Sequence, residues 1–329
     1  MHQIQLGNTV FEGLNNVYVL GLDDDAPTTL VDTGVATPAV REELAAGLAE
    51  ADVTFADVDQ VVLTHWHHDH AGLAGDIQAE SGADVYVHEA DAPLVAHDPD
   101  AVDALAERQR TLLDAWGMPQ DRQDELLSYL EFHGDLTGRG ADVTPLVDGD
   151  TVAVGDRTLE AVHLPGHAAG LTGYAFDGDA GREVFIGDAI LPKYTPNVGG
   201  ADVRVDRPLA AYLASLERIV DEDFDRAWAG HRGVIIDPSG RAREIAFHHR
   251  ERTDRVLRVV RESGPVTAWE VSAALFGALE NIHVLHGPGE AYAHLDHLAH
   301  EGVLAETADG YVEGDVPAES VVLTALDPV

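Results

Sequence analysis

Short apolar runs recur along the first two thirds of the chain, separated by glycine, proline and charged residues. Residues 17–22, 29–32, 61–64 and 85–88 read as buried strands, and so do 151–154, 158–162, 174–176 and 184–186. Segments 38–50 and 209–220 carry apolar residues at helical spacing. Strands interleaved with single helices predict a layered α/β architecture. Residues 91–134 break the alternation. Asp98-Pro99 is a helix start, and Val102, Leu105, Leu112, Leu113 and Trp116 follow at near-helical intervals. Gly117 ends that helix, and Pro119 opens a second one striped by Leu126, Leu127, Leu130 and Phe132. This helical insertion, about 91–140, either packs on the edge of the sheet layers or forms a lid over a cleft.

The pattern changes again near Arg241. Residues 244–262 read as a long helix ended by Ser263-Gly264-Pro265, and Thr267 caps a short helix to Phe276. Gly287-Pro288-Gly289 precedes a third helix through Ala299, and residues 303–305 and 311–312 form a hairpin about Asp309-Gly310. Three helices and a two-stranded wing make a winged-helix pattern. The expected division is a catalytic domain over 1–240 and a small winged-helix-like domain over 241–329.

The most informative stretch is Val61-Val62-Leu63-Thr64-His65-Trp66-His67-His68-Asp69-His70. It delivers His65, His67, Asp69 and His70 from a strand end into one tight loop. Neutral imidazole and carboxylate are the ligands of hydrolytic zinc sites. Four ligands within six residues exceed what one open catalytic ion needs, which points to two ions. Three later apolar runs end in Gly166-His167, Gly187-Asp188 and Gly230-His231, so the candidate set holds seven ligands.

In this order, and with Val31-Asp32-Thr33-Gly34 upstream, the chain resembles the metallo-β-lactamase-fold hydrolases from about residue 10 to residue 240. The resemblance implies two sheets packed face to face with helices outside, an αββα sandwich with the site at one edge. It implies His65, His67 and His167 on one ion, Asp69, His70 and His231 on the other, and Asp188 between them. Asp32 would orient a ligand imidazole. The ions would be Zn²⁺, with Mn²⁺ or Fe²⁺ as alternatives, and they would generate hydroxide near neutral pH. Asp69 and Asp188 are the expected catalytic carboxylates. Asp69 and the absence of cysteine separate the chain from the antibiotic-degrading members and bring it nearer the glyoxalase II, lactonase and ribonuclease branches. The additional C-terminal domain is similar to the beta-lactamase-like protein 2 group.

Charge changes the setting rather than the fold. Asp plus Glu number 59 against 20 Lys plus Arg, a formal net charge of −39. Molar salt shrinks the Debye length to about 3 Å and screens such self-repulsion, so the composition reads as halophilic. The absence of cysteine excludes a disulfide framework, and neither a signal peptide nor an apolar run of membrane-spanning length is evident, which predicts a cytoplasmic protein with no membrane partner. Lys193 is the single lysine, five residues after Asp188. It reads equally as a contact for an anionic substrate group or as an ordinary surface lysine. Tyr194 and Asn197 are weaker substrate candidates.

The expected activity is hydrolysis of a small acyl ester or thioester, as in hydroxyacylglutathione hydrolases, although the helical domain with which those enzymes grip glutathione has no counterpart here. The alternative is cleavage of single-stranded RNA. The third helix of the wing carries no Lys or Arg from 288 to 301, which speaks against groove binding. Seven of the 20 cationic residues cluster between Arg241 and Arg261, either as a phosphate track or as a face docked on the acidic sandwich. Two non-enzymatic readings are a metal-stabilised binding protein and a homodimer built on the wing.

Overall fold

A computed structural model describes residues 1–7, 13–22, 26–132, 134–318 and 326; the side chains of 130–135, Leu130 and Phe132 among them, lie outside the described residues. The first sheet has the order β1-β2-β3-β4-β5-β6: β1 (His2–Gln5), β2 (Asn16–Leu20), β3 (Thr29–Val31), β4 (Gln60–Val62), β5 (Asp84–His88) and β6 (Val143–Leu146). β1 to β3 pair antiparallel and β3 to β6 parallel. The second sheet places β7 (Thr151–Val154), β8 (Arg157–His163), β9 (Thr172–Gly178) and β10 (Gly181–Gly187) antiparallel, with β11 (Arg226–Ala229) parallel to β10.

Residue-by-residue alternation explains the stacking. Val17, Val19, Leu30 and Val61 point outward into one core, beneath α1 (Pro38–Ala49) and near α3 (Ala74–Ser81). Their neighbours Tyr18, Leu20, Val31 and Val62 point inward and meet Leu159, Tyr174, Phe176 and Phe185 of the second sheet. On the far side Ala175, Val184 and Ile186 pack under α7 (Pro208–Glu222) and the start of α8 (Pro238–Ser263). Both faces of each central strand are buried, which is why those strands read as unbroken apolar runs. Full burial of each large side chain contributes about 1.5–3 kcal/mol.

Between β5 and β6 run α4 (Ala92–Val95), α5 (Pro99–Ala115) and α6 (Gln120–Phe132), so the insertion is the crossover of a parallel strand pair. Leu113, Trp116, Met118 and Leu126 share a core with Val256, Leu257, Val260, Val271 and Leu295. The helical pair therefore packs chiefly on the C-terminal helices rather than on the sandwich edge. The Trp269 amide also donates to the Trp116 carbonyl at 2.9 Å.

The C-terminal order is α8, α9 (Ala268–Phe276), α10 (His283–His300) and an antiparallel hairpin of β12 (Leu304–Thr307) and β13 (Gly310–Glu313). Two boundaries differ from the pattern. α8 begins at Pro238, where Asp237 caps the Gly240 amide at 2.8 Å and proline occupies the first helical turn. α10 runs through Gly287-Pro288-Gly289 instead of starting after it. Those glycines serve close packing: a Cβ on Gly289 would lie 2.3 Å from Gly200 Cα, and one on Gly287 2.2 Å from a Leu279 methyl. β1 and β6 escaped the hydrophobic pattern because both are short edge strands, β1 mostly polar and β6 interrupted by Pro145.

Candidate metal centre

The ends of β3, β4, β8, β10 and β11 converge at one edge of the sandwich. β4 leads into Thr64 and His65, and α2 (His68–Ala71) carries Asp69 and His70. The loop after β8 supplies His167, the end of β10 Asp188, and the end of β11 His231. Two glycines permit this crowding. A Cβ on Gly230 would stand 2.5 Å from Asp188 Oδ1 and 2.7 Å from His70 Cε1. Gly187 has φ +52°, and a Cβ there would meet Thr64 at 2.8 Å.

All seven candidate ligands come together. His65, His67 and His167 form one group whose ligand atoms lie within 4.8 Å of one another, as do those of Asp69, His70 and His231, and of His65, His70 and Asp188. Each histidine uses one ring nitrogen on the protein. His65 Nδ1 is 3.0 Å from Thr64 Oγ1, His67 Nε2 is 3.1 Å from the Ala201 carbonyl, and His167 Nδ1 is 2.9 Å from the Asn197 carbonyl. His70 Nδ1 meets Asp32 Oδ2 at 2.8 Å, and His231 Nδ1 the Gly13 carbonyl at 2.8 Å. The other five nitrogens face the shared space. There His65 Nε2 and His67 Nδ1 are 2.9 Å apart, and His231 Nε2 is 3.2 Å from Asp188 Oδ2. His70 Nε2 and Asp188 Oδ1 are buried without a hydrogen-bond partner. Such orphans are costly unless a further group joins them. Imidazoles fixed by one nitrogen, with the other turned toward one space shared with carboxylates, fit divalent metal ions.

The electrostatics agree. Burial opposes a charge on His70, but Asp188, Asp69 and Asp32 outweigh it and hold the imidazolium well above the usual range. His231 is raised against its burial by Asp188. Burial is likewise overcome at Asp188, which His231 and His70 keep well below the ordinary carboxylate range. His67 moves the other way, down to about 3, because it is buried and faces His167. Protons thus gather where cations are favoured, at the carboxylate-rich end.

Asp32 lies beside the imidazole of the candidate ligand His70. Its Oδ1 accepts the Thr64 amide at 2.8 Å, and its Oδ2 also accepts the Thr64 hydroxyl at 2.9 Å. Its φ of +61° is a strained value held by these bonds. Two supports went unread. Asn15 Nδ2 donates to Asp69 Oδ2 at 3.2 Å and to the Asp69 carbonyl at 3.0 Å. Arg204 binds Asp91 and Asp202, both at 2.6 Å. Asp91 in turn accepts the Trp66 and Gly170 amides, while Asp202 accepts the Trp66 indole and the Ala169 amide. This buried network pins the His65–His67 loop to the His167 loop. No local signal marked it, since Asp91 and the Asp202–Arg204 pair stand more than a hundred residues apart in the chain.

The centre opens into a cleft of about 790 Å³. Trp66, Leu94, Val95, Val102 and Leu105 line one side, and Leu279, Ile282, Leu285 and His286 the other. The insertion and the C-terminal helices therefore both wall the approach to the candidate metal ligands. Asn197 lies on this lining, whereas Lys193 and Tyr194 border an adjoining surface depression of about 640 Å³ that shares Thr195, Phe276 and Glu290 with the cleft. Those two are not on the cleft lining itself. Of the histidines of α10, His283 and His286 line it.

The metallo-beta-lactamase superfamily profile matches residues 10–231. A metallo-beta-lactamase family protein of Thermus thermophilus superposes with a TM-score of 0.82 at 30% identity, over 95% of this chain and 98% of that one. The probable metallo-hydrolase YqjP of Bacillus subtilis is 29% identical, over 87% of this chain and 88% of its own length. A beta-lactamase-like protein 2 homolog of Drosophila melanogaster is 28% identical, over 88% and 83%. An atrochrysone carboxyl ACP thioesterase of Aspergillus chevalieri is 24% identical, over 82% and 67%.

Proposed function

Because the chain belongs to the metallo-beta-lactamase superfamily, we propose that it is a binuclear metal-dependent hydrolase acting on an ester or thioester of a partly apolar acyl group. The observation that carries this reading is the set of five imidazole nitrogens and two carboxylates turned toward one space, with His70 Nε2 and Asp188 Oδ1 left orphaned. His65, His67 and His167 would hold one ion, Asp69, His70 and His231 the other, and Asp188 would face both. When bound, such ions, with Zn²⁺ the first choice, supply Lewis acidity and lower the pKa of water.

The protein's own groups do the remainder. Asp32, Thr64 and the Asn197, Ala201 and Gly13 carbonyls fix imidazole orientation and tautomer. Asn15 holds Asp69 toward His231, whose Nε2 is 3.5 Å from Asp69 Oδ2. Asp69 is then placed to accept a proton from an attacking water. The apolar walls from α5 and α10 exclude bulk water from the scissile group and seat an acyl chain.

The cleft chemistry favours an acyl substrate over RNA. Among the described residues on its lining, Arg139 is the one Arg or Lys. Phosphate recognition rests on several such cations. Of the seven arginines of α8, Arg241 donates to the Leu191 and Tyr194 carbonyls, Arg252 pairs with Glu290 and Arg261 with Glu313. The acidic composition supports a protein built for high salt, and α8 to β13 support a winged-helix-like unit that serves as cleft wall.

The test is hydrolysis in molar KCl with added Zn²⁺ or Mn²⁺, comparing an S-acyl thioester with labelled single-stranded RNA. Thioester turnover abolished by His65→Ala is the expected result. RNA cleavage lost in the same variant, with the thioester intact, would replace the acyl reading by the nuclease one.

A further inference from the structure

The loop between β10 and α7 brings two backbone carbonyls to the three-histidine group. The Asn197 carbonyl accepts from His167 Nδ1 and the Ala201 carbonyl from His67 Nε2. The spacing of those two carbonyls is set by one side chain. Asn197 Oδ1 accepts the Gly200 amide at 3.1 Å and the Ala201 amide at 2.8 Å, closing the loop on itself. Its Nδ2 donates outward to α10, to the His286 carbonyl at 3.1 Å and to Glu290 Oε2 at 3.2 Å. The amide uses both donors and two acceptor sites, so it has one orientation.

The anchor beyond it is equally closed. Glu290 is buried, with 8% of its surface exposed, and its Oε1 is ion-paired with Arg252 of α8. Glu290 also stands beside His249 and His294, a grouping that could hold a cation. Both its oxygens are already engaged, however, one by a guanidinium and one by Asn197. Backbone contact locks the same joint, since a Cβ on Gly199 would fall 2.5 Å from the Gly289 carbonyl oxygen.

We infer that Asn197, clamped to α10 by the Arg252–Glu290 pair, is a positioning residue that lets the C-terminal helices set the geometry of the His65–His67–His167 site. The inference rests on the binuclear reading above. It assigns the segment after residue 238 a direct part in metal binding, through His67 and His167 and not through the Asp69–His70–His231 group. The latter takes its supports from Asp32, Gly13 and Asn15 instead.

The experiment is Co²⁺ loading of the full chain, metal-free at the start, followed by equilibrium dialysis and the visible ligand-field spectrum. The wild type is expected to take two ions. Asn197→Ala and Glu290→Ala are expected to keep one ion at wild-type affinity and to bind the other about 10–100-fold more weakly, the usual cost of losing a group behind a metal ligand. Glu290→Gln, whose single carbonyl oxygen cannot accept from both Arg252 and Asn197, is expected to fall between wild type and Glu290→Ala. Two sites weakened by the same factor, or two unchanged sites, would overturn the inference. A wild-type chain that takes fewer than two ions would instead refute the binuclear reading. Asn197→Ala changes a loop residue only, so it gives the answer if Glu290→Ala fails to fold.

Discussion

Arg204→Met isolates the network behind the loops that carry the candidate metal ligands. The guanidinium lies between two fully buried carboxylates, donating to Asp91 Oδ1 at 2.6 Å, to both oxygens of Asp202 at 2.6 and 2.9 Å, and to the Ala90 carbonyl at 2.6 Å. Its own side chain is 19% exposed, so bulk solvent screens it little. Removing one member of such a group leaves uncompensated buried charge, a loss of about 3–5 kcal/mol. The pH dependence follows from Asp91. Burial pushes its carboxyl up to about 6 even with Arg204 beside it. A raised carboxylate costs stability above its folded pKa, and the cost fades as pH falls toward the unfolded value. Without Arg204 that pKa rises further, so the folded variant takes up protons at higher pH than the wild type. Each pH unit over which it holds one more proton returns about 1.4 kcal/mol. The destabilisation is therefore largest at pH 8 and smaller at pH 5.5. Urea unfolding in molar KCl, followed by tryptophan fluorescence and circular dichroism at both pH values, measures it. A loss under about 1 kcal/mol at pH 8, the size of an exposed pair, would refute the reasoning. So would an equal loss at both pH values.

Asp32→Asn keeps the volume but replaces one acceptor oxygen with a donor facing Thr64 or His70; metal affinity, read by competition with a chromophoric chelator, should fall about 10–100-fold. His70 and His231 are raised in the metal-free chain, and metal requires neutral imidazole. Metal uptake near pH 7 should therefore release protons, and affinity should rise with pH; titration calorimetry in two buffers of different ionisation enthalpy counts the protons. With a net charge of −39, the melting temperature should climb between 0.1 M and 1 M KCl as the Debye length drops from about 10 to 3 Å, and a flat profile would remove the halophilic reading.

The clustering of the candidate ligands was legible in the chain because ligand chemistry is local. His65, His67, Asp69 and His70 leave one strand end together, and Gly166-His167, Gly187-Asp188 and Gly230-His231 repeat the same strand-end punctuation. The layered sandwich was legible for a related reason: strands buried on both faces must be continuously apolar. The extent of α8 and α10 was not, since proline and glycine act as stop signals only until packing outweighs them. Tertiary structure alone decided what lies behind the ligands. Asn15, Asp91, Asp202, Arg204 and Glu290 are ordinary polar residues in sequence, and each becomes significant because folding buries it against a partner dozens of residues away. Tertiary structure likewise placed Lys193 outside the cleft and brought α5 and α10 into its walls. An apolar stripe records that a face is covered, but the covering partner is chosen by the shape of the whole fold.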